Sequence, residues 1–106
     1  MTTHSLTNVK VHSSLWQKTK GLIGEAEPES FGSGIALPAV NSIHTFFVGF
    51  PIDIVFLDKD NQVVKLAENL TQFRFSPIIF AAKTTLELKA GSIKKLKIKV
   101  GDGVNF

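Results

Sequence analysis

The chain has 106 residues, 43% of them hydrophobic and 20% charged, with a net charge of +3 from 12 basic and 9 acidic residues. That length buries one hydrophobic core and is too short for two, so residues 1–106 are expected to form a single domain; with no cysteine, disulfides, thiolate nucleophiles and cysteine-held zinc or iron–sulfur centres are excluded. Met1 to Lys10 contain no apolar h-region and no apolar run approaches ~18 residues, so neither a signal peptide nor a membrane span is expected and a cytoplasmic location follows by default.

In chain order, residues 7–12 alternate around Val9 and Val11 as a short strand would. Ser13 or Ser14 then caps a predicted helix whose Leu15, Trp16, Thr19, Leu22 and Ile23 share one face, with Gly24 suited to its end and Trp16 as a core anchor. Three Glu, Pro28 and Gly32 make residues 25–33 a loop. Strands are predicted at Ile35–Leu37, stopped by Pro38, and at Ile43–Val48, ended by Gly49 and Pro51. Ile52–Leu57 is almost continuously apolar, which suits a strand covered on both faces, and Asp58 to Asn61 turn it into a hairpin with Gln62–Leu66. Further strands are predicted at 72–76, 78–81, 84–88 and 104–106. A short helical turn at Ser92–Leu96 with Ser92 as its cap, and a tight turn around Asp102 between Gly101 and Gly103, complete the pattern. The fold class is therefore mainly β, a small compact barrel or sandwich with one N-terminal helix and one short C-terminal helical turn.

Familiar motifs are missing. Asp58, Lys59, Asp60, Asn61 resembles the start of a calcium loop, but Gln62 and Val63 stand where an acid and a glycine are needed, so a hairpin turn is the reading. Gly32, Ser33, Gly34 lacks a third glycine and reads as a flexible loop, not a nucleotide cradle. His4, His12 and His44 fall on three separate elements with no metal-ligand spacing, so no metal and no cofactor is expected. Six Lys lie from Lys83 onward (83, 89, 94, 95, 97, 99), with Glu87 and Asp102 as nearby counter-charges. They read as a solvated edge guarding exposed strands, ahead of an anion-binding patch, because the chain has one Arg and no evident stacking face; nucleic acid is not expected as a partner.

Two polar residues interrupt apolar segments. Alternation places Asp53 on one face with Val55 and Leu57, so its carboxylate requires dedicated partners; acceptance of backbone N–H groups is the favoured role, and Asp53→Ala is expected to cost about 1 to 3 kcal/mol. His44 lies in the aromatic stretch 43–50.

Pro51 to Asp58, Ser76-Pro77 and the run Leu86 to Asp102, with Gly21-Leu22 upstream, occur in the order and spacing of the domain-of-unknown-function family 192, which the chain resembles over nearly its whole length. The resemblance implies a compact, barrel-like, mainly β domain and brings no reaction. Where that family usually reads Gly-Leu-Met-Phe-Arg and Trp-Met-Lys-Asn-Thr, this chain reads Gly21 to Glu25 and His44 to Val48, losing most of the polar groups while keeping Pro51 and Asp53.

The leading expectation is a non-enzymatic binding or accessory domain that meets a small ligand or protein partner through the apolar surface around residues 44–50. His44, Phe47, Asp53 and Ser76 are the ligand-binding candidates, and no catalytic residue is assigned. The alternatives are an enzyme using His44 and Asp53 as an acid–base pair and a weak anion or nucleic-acid binder using the C-terminal lysines. No membrane partner is expected, and the oligomeric state stays open.

Overall fold

Apolar strands with short turns pair wherever their backbone groups can be satisfied, and the computed structural model, which describes residues 1–7, 9–11, 34–40, 50–71 and 78–106, shows the pairing chosen here. The elements are β1 (Thr3–Ser5), β2 (Val9–Val11), β3 (Gly34–Pro38), β4 (Ile52–Leu57), β5 (Val63–Leu70), β6 (Thr84–Lys89), α1 (Ser92–Leu96) and β7 (Gly103–Asn105). A five-stranded sheet has the order β2-β3-β6-β4-β5; β2 runs parallel to β3, and the other neighbours are antiparallel. β1 lies parallel to β7 in a separate two-stranded sheet.

All six residues of β4 are buried, as its continuous apolar run requires. On one face Ile35, Leu37, Ile52, Ile54 and Phe56 pack with Ala82, and Val40, Phe50 and Ile79 close over them. On the other, Ala36, Val55, Leu57, Leu86 and Leu88 meet Ile93, Ile98 and Val104 from α1, the turn after it and β7. The mainly β class and the short C-terminal helix stand. A closed barrel does not: among the described residues the sheet is open, with β2 and β5 at its edges. The two-sided cover explains the difference, because a small barrel leaves an outward face on every strand, whereas β4 is enclosed on both.

The β4–β5 hairpin follows the prediction. Asp58 Oδ1 accepts the N–H groups of Asp60 at 2.9 Å and Gln62 at 3.0 Å, and Asn61 takes a left-handed conformation, so Asx bonds hold the turn. The predicted strand at 78–81 is corrected to a turn: Ala82 N–H donates to Ile79 O at 2.8 Å, and Lys83 N–H to Leu57 O at 2.7 Å, as the chain reverses to lay β6 beside β4. β1 was not foreseen, since Thr3, His4 and Ser5 carry no apolar alternation. The cap of α1 is Gly91, not Ser92. The predicted N-terminal helix with Trp16, and the strands at 43–48 and 72–76, lie outside the described residues.

The lysines are also corrected. They do not guard a strand edge, because β6 is the middle strand of the sheet and Lys94, Lys95, Lys97 and Lys99 are exposed on α1 and the turn that follows. Gly34, read as loop flexibility, is a buried residue of β3. A Cβ there would stand 2.4 Å from Leu88 Cδ2 and 2.7 Å from Glu87 O, too close for the backbone oxygen to yield. Gly34→Ala is expected to lower the unfolding free energy by about 1 to 3 kcal/mol, measured by urea titration; a change within error would mean that β3 and β6 separate freely.

Candidate functional site

β4, β6 and the turn before β7 hold three acidic positions in different ways. In β4, Ile52 pairs with Leu70 but Ile54 pairs with Ala67, so β5 bulges opposite Asp53. Asn69, at φ 53° in that bulge, donates its N–H to Asp53 Oδ1 at 2.8 Å. Ile93 N–H, in the first turn of α1, donates to Asp53 Oδ2 at 2.9 Å. The helix has no side-chain cap of its own, so a strand residue supplies it. Asp53 lies on the face of Val55 and Leu57, is 0% exposed, and accepts backbone N–H groups as its sequence context predicts. With each oxygen engaged it is a fastening of the fold. His44, Phe47 and Ser76 lie outside the described residues.

Sequence reasoning overlooked Glu87, treating it as a counter-charge to the lysines. It is instead the centre of β6, paired across to Ile35 on one side and Ile54 on the other, and is 5% exposed. Its Oε2 has no hydrogen-bond partner among the described residues, and no described cation forms an ion pair with it. Desolvation by these apolar neighbours pushes its pKa up from 4.5 to about 7. Thr85, two residues earlier on the same face, is satisfied: its hydroxyl donates to Val40 O at 2.5 Å. The signal that could have found Glu87 was present in two parts. Alternation in 84–88 sets Leu86 and Leu88 opposite Glu87, and the apolar β4 implies that both faces are covered.

The third acid, Asp102, is part of the seam between the two sheets. His4 Nε2 donates to its Oδ2 at 2.8 Å, Lys99 N–H to the same oxygen at 3.0 Å and Thr2 N–H to Oδ1 at 3.3 Å. The hydrogen bond from His4 lowers its pKa most, burial opposes this, and the two backbone donors lower it further. Among the described residues no three His, Asp or Glu gather as metal ligands, and no helix is long and apolar enough to cross a membrane.

Thus, among the described residues, the apolar face that includes Phe50 carries a buried carboxyl group with an oxygen that has no partner, and the opposite face carries one whose oxygens both accept hydrogen bonds. Comparison with known proteins sets this in context. The sequence model of DUF192, described as "Uncharacterized ACR", matches residues 1–106. A UPF0127 protein of Pyrococcus abyssi is 38% identical over 65 residues, which span 61% of this chain and 55% of that protein, little more than half its length. Among solved structures, a protein of unknown function from Novosphingobium aromaticivorans superposes with a TM-score of 0.76 at 22% identity, covering 88% of this chain and 70% of that one. A candidate transcription regulator from Sinorhizobium meliloti gives 0.71 at 22% identity, covering 88% and 76%. At that identity the likeness is one of fold.

Proposed function

The chain belongs to the DUF192 family, whose function is not established, and we propose that it acts as a non-enzymatic binding domain whose ligand meets the apolar sheet face at Phe50 and donates a hydrogen bond to Glu87. One observation carries this reading: Glu87 Oε2 is buried in the middle of the sheet and has no hydrogen-bond partner among the described residues. A carboxyl group held out of water without a donor is unfavourable, and such groups persist most readily where a ligand supplies the missing bond. The ligand class is a small molecule that joins an apolar body to an N–H or O–H donor, a cationic nitrogen above all.

The acid–base alternative has less support. Asp53 accepts two backbone N–H bonds on the far face of β4, away from Phe50. Titration of isotopically labelled protein with benzylamine, benzamidine and benzoate tests the proposal, since the three share a ring and differ in donor capacity. The two cations are expected to shift the amide signals of residues 35–37, 54–56 and 85–87, and Glu87→Gln to abolish the response. Equal shifts with benzoate, or none with the cations, would remove Glu87 as a recognition group.

A further inference from the structure

From Lys94 to Val100 every residue but one is exposed. The exception, Ile98, is 4% exposed and shares that burial with Ile93, which anchors the other end of the segment. Ile98 N–H donates to Ile93 O at 3.0 Å, Lys97 N–H to Lys94 O at 3.3 Å and Asp102 N–H to Lys99 O at 3.0 Å, so the backbone is tied into a fixed knuckle with two apolar roots. Its outer surface consists of Lys94, Lys95, Lys97 and Lys99 with two aliphatic side chains, Leu96 at 39% and Val100 at 62% exposure. None of the four lysines has a carboxylate partner among the described residues. The nearby β4–β5 turn adds Lys59 and Asp60, both exposed, which offset each other.

We propose that this knuckle docks on an anionic lipid surface, with Leu96 and Val100 entering the interfacial region and the lysines meeting the headgroups. The composition selects that occupant. Protein interfaces are anchored by aromatic residues and Arg and are depleted in Lys, and single-stranded nucleic acid needs stacking faces; residues 94–100 contain no aromatic residue and no Arg. Aliphatic side chains among lysines are what a bilayer interface accepts, and the contact is one of surface and needs no spanning helix. Each lysine near such a surface strengthens partition by about fivefold.

Co-sedimentation of the whole chain with phosphatidylcholine vesicles, with and without phosphatidylglycerol, tests the inference. Binding is expected only with phosphatidylglycerol, and it should weaken with added salt. The triple variant Lys94→Gln, Lys95→Gln, Lys99→Gln is expected to lose about a hundredfold in partition. The double variant Leu96→Ser, Val100→Ser, which leaves the charge unchanged, is expected to lose several-fold. Absence of binding at low salt, equal binding to both vesicles, or a double-serine variant that binds like the parent would each overturn the proposal. The benzylamine response at Glu87 is independent of all three results.

Discussion

Raising the pH from 4.5 to about 7 is expected to lower the unfolding free energy by up to about 3 kcal/mol through Glu87 alone. In the unfolded chain this carboxyl group ionises near 4.5, whereas in the fold burial delays ionisation to about 7. Between those values the folded state binds the extra proton, so stability falls with rising pH; below 4.5 neither state is ionised, and above 7 the penalty is complete. Asp102 acts with the opposite sign. Its pKa is lowered in the fold, so its contribution is present above the unfolded value and is lost as the pH falls through the folded one. The two slopes should meet in a stability maximum near pH 4.5, where the Asp102 contribution is in place and the Glu87 decline begins. Urea unfolding of the parent and of Glu87→Gln at a series of pH values isolates the term. The variant should lack the decline between 4.5 and 7, and parallel profiles would show that Glu87 is ionised and partnered in the fold.

Asp53→Ala is expected to destabilise by about 3 to 5 kcal/mol, more than the sequence alone implies, because one buried and one part-buried N–H group both lose a charged acceptor. The bulge at Asn69 and the first turn of α1 both depend on this carboxylate, and a five-residue helix has little stability of its own. Asp53→Asn keeps one acceptor and should cost about half as much. Amide exchange should quicken first at Asn69 and Ile93. A loss below about 1 kcal/mol would mean that water or neighbouring groups replace the carboxylate.

What could be read from the residues alone followed the range over which their interactions act. The Asp58–Asn61 turn, the two-sided burial of β4 and the face of Asp53 depend on alternation and turn chemistry within a few positions, and each was legible. The pairing partners of Asp53 were not, since they come from residues 16 and 40 positions away. Glu87 was misjudged because net charge was counted along the chain, whereas the sheet separates it from the lysines by turning it toward Ile35 and Ile54. The turn at 78–81 was taken for a strand because its apolar residues Ile78 and Phe80 look like alternation; they are 56% and 82% exposed.

The parallel pairing of β1 with β7 has a consequence for synthesis. His4 and Asp102 are 98 positions apart, so the ribosome delivers Thr3–Ser5 long before β7, their strand partner among the described residues, exists. At the usual pace of elongation that interval is roughly 5 to 20 s. The β4–β5 hairpin can close within microseconds of emerging, whereas β1 must wait with its backbone groups turned to water or to a chaperone. Its low apolar content, which hid it from the sequence reading, is what lets a strand wait that long without sticking to something else.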